Sequence, residues 1–206
     1  KTYGSPRIHI LLRRRGIVCG HNRVARLMQR HGIVAHSRRP YHPVTTKRQP
    51  GVEAAPNLLG QDFTATAPNQ KWVSDFTYIP TAQGWLYLAV VLDLFSRKVV
   101  GWAMSEHMDT ALVLAALHMA LQGRRPLAGL LHHSDQGSQY TSSAYLTCLI
   151  EAAALLSMSG VGNCYDNAVM ESFFGTLKTE SVCGTFATRA LACTTLFEYM
   201  EVWYNR

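Results

Sequence analysis

The chain has 206 residues, 48% of them hydrophobic, and a net charge of +7, which places it among globular chains that bury a core in one large domain or in a small one plus a medium one. Its five cysteines (Cys19, Cys148, Cys164, Cys183, Cys193) form no Cys-x-x-Cys pair, and a single cysteine near His21, His31 and His36 cannot complete a Cys2His2 site. A disulfide framework and a zinc finger are thereby excluded, a reducing cytoplasm is favoured, and the longest apolar runs (Trp85–Leu92 and around Ala111–Leu121) are too short to span a bilayer.

The charge is segregated. Residues 1–50 carry 12 Lys/Arg and no acid, whereas residues 51–206 carry the other 8 Lys/Arg and all 13 acids, a net of −5. This predicts a basic nucleic-acid-binding arm on an acidic catalytic body, in preference to a solvated basic tail. Residues 5–32 read as two helices around a tight turn. Ser5 caps the first, with Pro6 in its first turn and Ile8, Leu11 and Leu12 on one face. Gly16 and Gly20 bracket the turn, Asn22 caps the second helix, and Gly32 ends it. Val24, Leu27 and Met28 form its apolar face, while Arg23, Arg26 and Arg30 lie opposite, as in a helix-turn-helix whose second helix reaches DNA. Residues 36–60 hold Arg38, Arg39, Lys47 and Arg48 among Pro40, Pro43, Pro50 and Pro56, the pattern of an extended basic linker.

Strands are predicted at Lys71–Ile79, Trp85–Asp93 and Arg97–Met104, forming an antiparallel meander. Asp109 caps a helix to about Gln122, and Gly129–Ser134 is a buried strand. Thr141 or Ser142 caps a helix through about Ala153, and Leu155–Ser159 is a short strand. Asp166 or Asn167 caps the helix carrying Glu171, and Arg189–Asn205 is a last helix. The order β-β-β-α-β-α-β-α predicts an α/β fold, a mixed sheet with helices on its faces. The chain begins at Lys1 and stops at Arg206 inside a helical pattern, which reads as a fragment of a longer protein.

Three carboxylates carry the chemistry. Asp75 interrupts the strand Trp72–Ile79 among large apolar residues, where a carboxylate costs free energy unless it is paired or bound to metal. Asp135, in His-Ser-Asp-Gln-Gly-Ser-Gln-Tyr (133–140), follows a buried strand at the point where α/β sheets form ligand sites. Glu171 lies on the helix within residues 162–178. Two carboxylates ~4 Å apart repel by about 4 kcal/mol at an effective dielectric of about 20, and a divalent cation turns that repulsion into attraction. Hard oxygen ligands suit Mg²⁺, with Mn²⁺ as a surrogate. A pair of such ions about 4 Å apart would serve phosphodiester cutting and joining by activating a water or a DNA 3′-hydroxyl and steadying the departing oxygen. Lys178, seven residues past Glu171 on the same face, either contacts a DNA phosphate or is a surface lysine paired with a solvent-side acid. Phe173, Phe174 and Leu177 pack this helix onto the sheet. Asp93 serves a turn in preference to a catalytic role, and His132 and His133 are packed or solvent-facing in preference to orienting substrate. Gln136-Gly137-Ser138 either offers amides to phosphate oxygens or simply makes a turn.

These residues resemble the DDE transposases of bacterial insertion sequences, most closely the OrfB-type product of insertion sequence family three. The segments carrying the resemblance are residues 3–8, 23–28, 69–79, 85–97, 133–142 and 162–178, so it covers nearly the whole chain. It implies a retroviral-integrase-like, ribonuclease-H-like core with the triad at Asp75, Asp135 and Glu171. It further implies binding of terminal inverted repeats and target DNA and assembly as a homo-oligomer on two DNA ends, with no membrane partner, in the bacterial cytoplasm. The predicted division is a helix-turn-helix-like module over 1–35, a basic Pro-rich linker over 36–66 and the catalytic core over 67–206. Two departures stand out: Gly160-Val161 replaces a segment that is usually basic, and the family continues past Trp-Tyr-Asn-Arg (203–206) with a further basic segment. The rival readings are a truncated, non-catalytic relic competing for element ends and a stand-alone ribonuclease-H-type nuclease.

Overall fold

A computed structural model describes residues 3–33, 55–160 and 164–206. Helices α1 (Ser5–Arg14) and α2 (His21–Arg30) form a pair at the amino terminus. Gly16 turns between them in the left-handed region (φ 76°). Val24 and Met28 are buried, Leu27 is largely exposed, and Arg23, Arg26 and Arg30 are exposed. The predicted caps are corrected. Gly20, not Asn22, precedes α2, and Gly4 precedes α1. Both glycines are extended there, and the Ser5 hydroxyl lies 3.3 Å from His21 Nε2. Residues 36–54, most of the predicted linker, lie outside the described residues.

The body is a five-stranded sheet in the order β3-β2-β1-β4-β5. Strand β1 (Lys71–Thr81) pairs antiparallel with β2 (Gly84–Asp93), which pairs antiparallel with β3 (Val99–Ser105). On the other side β4 (Leu131–Ser134) pairs parallel with β1 and with β5 (Leu155–Met158). Pro80 is tolerated in the central strand because β4 covers only Lys71–Val73, leaving the far half of β1 without a second neighbour in the sheet. The predicted strand start at Arg97 moves to Val99, because residues 94–98 form a turn with Arg97 at φ 60°. Asp93 holds that turn: its carboxylate accepts from the amides of Ser96 (2.9 Å) and Asn69 (2.9 Å) and from Ser96 Oγ (2.6 Å).

Period-two alternation splits β1 between two cores. Val73 and Ile79 pack with β2 under α5 (Ala168–Ser181) and α6 (Arg189–Phe197), against Met170, Phe173, Phe174, Leu177 and Leu196. Trp72 packs on the opposite face under α3 (Thr110–Arg124) and α4 (Ser143–Glu151). Asp109 caps α3 by accepting from the Leu112 amide, and Ser142, the second of the two predicted candidates, caps α4 through Tyr145. The last predicted helix divides into α6 and a π-helical stretch, Glu198–Tyr204. Asn205 then closes the edge by pairing both ways with the Val99 backbone at 2.9 Å. Among the described residues no helix is long and apolar enough to cross a membrane.

Candidate active site

Asp75 lies in the middle of β1, with Val73 on the α5 side, and Asp135 follows the last residue of β4, the strand beside it. Glu171 stands in the first turn of α5, the helix packed against the same face. Strand pairing and helix packing therefore draw three distant acids to one end of the sheet. Asp75 Oδ1 accepts from the Phe76 amide (2.8 Å), and Asp135 Oδ1 accepts from the Gly137 amide (2.9 Å). Asp75 keeps some exposed area but is densely surrounded. Burial raises its carboxyl well above the usual carboxylate range, and the negative charge of Asp135 raises it further. The Phe76 amide opposes this, Glu171 adds to it, and the ammonium of Lys178 pulls the other way. The three acids and Lys178 are thus electrostatic neighbours. They do not form a closed ligand set: among the described residues no group of three or more His, Cys, Asp or Glu is arranged to hold a metal ion. One oxygen of each aspartate faces a backbone amide, and Glu171 is exposed.

Gly137 packs closely against the Asp135 and Gln139 side chains. A Cβ there would sit 3.0 Å from Asp135 Oδ1 and 3.2 Å from Gln139 Oε1. Its amide serves the Asp135 carboxylate, so the expectation of a free amide for phosphate oxygens is corrected at this residue. Lys178 is half-buried, with its Nζ 4.7 Å from the centroid of the Tyr78 ring, and burial lowers its pKa while Asp75 raises it. Asp75, not a solvent-side acid, is the carboxylate it answers to. Asp166 does not cap α5. Its carboxylate accepts from the Gly160 amide (2.9 Å) and Gln61 Nε2 (3.0 Å), and Asn167 at the cap position makes no side-chain cap bond.

Both histidines beside Asp135 are buried. His132 Nε2 lies 2.8 Å from Ser74 Oγ on β1 and 3.2 Å from Tyr145 Oη on α4. His133 reaches Ser157 Oγ on β5 (2.8 Å) and Ser159 Oγ (3.1 Å). Burial pushes their pKa values down, to about 3 and about 4, so both are neutral imidazoles that brace the strand carrying Asp135. Sequence reasoning left open whether they were packed, and no signal in a His-His-Ser-Asp run distinguishes a brace from a substrate contact. It also passed over Tyr140, whose buried ring touches the same layer.

The comparisons with known proteins give the family and the fold. Residues 1–41 match an HTH-like domain, and residues 65–164 and 171–206 match integrase core domains. The transposase for insertion sequence element IS904 of Lactococcus lactis subsp. lactis (strain IL1403) is 47% identical over 204 residues, covering 98% of this chain and 80% of that protein. Transposase InsF for insertion sequence IS3A of Escherichia coli (strain K12) is 45% identical over 207 residues, covering 100% of this chain and 72% of that protein. The chain belongs to the IS3-family transposases. As a member of that family it acts in DNA transposition and integration, as a DNA-cutting and strand-transfer enzyme that binds DNA. Neither a stand-alone nuclease nor a non-catalytic relic is favoured. Among solved structures, a chain of the simian T-cell lymphotropic virus intasome in complex with PP2A regulatory subunit B56 gamma aligns with TM-score 0.56 and 18% identity, over 97% of this chain and 69% of that one. The HTLV-2 integrase catalytic core domain in complex with magnesium aligns with TM-score 0.51 and 17% identity, over 68% of this chain and 91% of that one. These likenesses establish the shared ribonuclease-H-like integrase fold of the transposase body.

Proposed function

We propose that Asp75, Asp135 and Glu171 are the catalytic acids of this transposase and that they hold divalent metal, two Mg²⁺ ions with Mn²⁺ as a surrogate. The observation that carries this reading is the position of Asp75. Three elements bring three acids together at a half-buried point where Asp75 is driven toward its protonated form. Such an arrangement is unfavourable for a protein by itself and fits a hard cation with oxygen ligands. A relative in fold carries magnesium in its catalytic core. When bound, the metal supplies Lewis-acid activation of an attacking hydroxyl and charge stabilisation at phosphorus.

The chain's own residues do the rest. The Gly137 amide fixes the Asp135 carboxylate, and the rigid layer of His132 and His133 fixes the strand behind it. Lys178, held over Tyr78 and within the electrostatic reach of Asp75, meets a phosphate of bound DNA in this reading. Arg23, Arg26 and Arg30 on the exposed face of α2 track the phosphate backbone of the terminal inverted repeats. The reading includes the helix-turn-helix-like module over 1–35, the linker over 36–66 and the core over 67–206. It also includes assembly of several copies on two element ends and on target DNA, in the bacterial cytoplasm and on the nucleoid when DNA-bound. The deciding experiment is Asp135→Asn. Cleavage and strand joining of element-end DNA should disappear with binding of that DNA largely intact, and wild-type joining by this variant would refute the assignment.

A further inference from the structure

Asp166 is a buried carboxylate with no part in the roles described so far. It lies in the 3₁₀ turn Cys164–Asn167, which runs directly into α5, and is only 2% exposed. A carboxylate so placed is tolerated when hydrogen bonds take up its oxygens. Capping α5 would be the local way to do this, and Asp166 reaches backwards instead. Its Oδ2 accepts from the Gly160 amide (2.9 Å), just past β5, and its Oδ1 accepts from Gln61 Nε2 (3.0 Å). The residue before Gly160 is bound on both sides of Asp135. The Ser159 amide donates to Ser134 O (2.9 Å), and Ser159 O accepts from Gln136 Nε2 (2.8 Å). The dipeptide Ser159-Gly160 thus joins the turn bearing Asp135 to the turn that leads into the helix bearing Glu171. Gln61 gives a second fixed support, because its segment is pinned to β5. There the Leu58 and Leu59 amides donate to Ser157 Oγ at 2.9 and 3.1 Å. The apolar face of α5 holds the helix against the sheet. Such contact is non-directional and fixes the helix less sharply along its own axis than oriented hydrogen bonds do.

We propose that Asp166 is a positioning residue of the acid site: its bond to the Gly160 amide sets the start of α5 against the Asp135 turn, and so sets Glu171 relative to Asp135. This rests on the reading of Asp135 and Glu171 as catalytic acids. Asp166 touches neither DNA nor the reacting atoms in this role. It acts through backbone that other bonds tie to Asp135, and displacing a reacting group by about 1 Å costs about 10²-fold in rate.

The test uses the full chain and its Asp166→Ala, Asp166→Asn and Gln136→Ala variants. The readouts are turnover and KM in strand joining of element-end DNA, and calorimetric titration of the metal-free protein with Mn²⁺. Asp166→Asn keeps an oxygen for the Gly160 amide and should behave as the wild type. In Asp166→Ala turnover should fall about 10²-fold and Mn²⁺ affinity about tenfold, with KM for the DNA unchanged. Gln136→Ala cuts the same link from the Asp135 side and should show the same losses, and it decides the matter if Asp166→Ala does not fold. A lower melting temperature in Asp166→Ala, with wild-type turnover and Mn²⁺ affinity in the folded protein, would mark the carboxylate as structural and overturn the proposal. Wild-type values in Gln136→Ala would overturn it too. So would a loss in Asp166→Asn equal to that in Asp166→Ala, since charge and not the Gly160 bond would then matter. Asp135→Asn separates the two readings: wild-type joining in that variant removes the acid site itself, whereas lost joining there beside wild-type Asp166→Ala removes only the role of Asp166.

Discussion

Asp75 is the residue on which stability and chemistry conflict. Its folded-state pKa is raised above 3.8, first by burial and then by Asp135. The folded protein therefore holds that proton more tightly than the unfolded chain does. Stability falls as pH rises from 3.8 through the folded value, and above 3.8 the carboxyl group is a net cost. Asp75→Asn should raise the melting temperature of the metal-free protein at pH 7, a gain that fades as pH approaches 3.8, and it should abolish strand transfer. A lower melting temperature at pH 7 would show that the carboxylate is stabilised by contacts stronger than its desolvation. The oddity of Asp75 was legible in the sequence, because a lone acid in Trp72–Ile79 breaks an apolar strand. Tyr140 was not legible, since a tyrosine after a turn reads as ordinary core and only atomic packing reveals a hydroxyl without an acceptor.

Element by element, type was readable and termini were not. The α5 face of Met170, Phe173, Phe174 and Leu177 follows directly from helical spacing. Cap positions slipped because several polar residues compete at each end and local hydrogen bonds choose among them. Asp166 was drawn away from a cap by Gln61, 105 residues earlier in the chain, a partner that no local pattern could announce. Gly101 on β3 shows the same limit. A Cβ there would run into Ala116 O and lie 2.7 Å from Ala120 N on α3, so strand and helix touch backbone to backbone. Gly101→Ala should destabilise the protein by about 1–3 kcal/mol through overpacking, measured by urea unfolding, and a neutral result would mean that α3 can shift outward. For α2, replacing Arg23, Arg26 and Arg30 by Gln should weaken DNA binding across sequences. The log–log salt dependence should become shallower by about 3 if each contacts one phosphate, whereas an unchanged slope would place the DNA elsewhere.

Across the whole molecule, two buried neutral histidines tie β4 to β1, α4 and β5. Their folded pKa values, about 3 for His132 and about 4 for His133, lie below the unfolded value of 6.5. Between those limits the unfolded chain binds more protons. The stability they contribute is complete above pH 6.5 and is lost as pH falls toward 4, by at most about 1.4 kcal/mol per pH unit for each group. Asp75 acts in the opposite sense, so the melting temperature should drop more steeply between pH 6.5 and 4 in Asp75→Asn than in the wild type. Parallel slopes would deny Asp75 its raised pKa.

Local pattern sufficed for the inventory: a basic helical arm, five strands and their helices, and three candidate acids. Periodicity and composition act over a few residues, and the family resemblance rides on short motifs, so both survive in one dimension. Which groups meet was settled by the packing of the folded chain. It set Asp75 beside Asp135 by parallel pairing of β1 and β4, turned Lys178 over Tyr78, committed Asp166 to Gln61 and Gly160, and left the Tyr140 hydroxyl buried without a partner. Burial and electrostatic neighbourhood arise from contacts between residues far apart in the chain, and local pattern does not encode them.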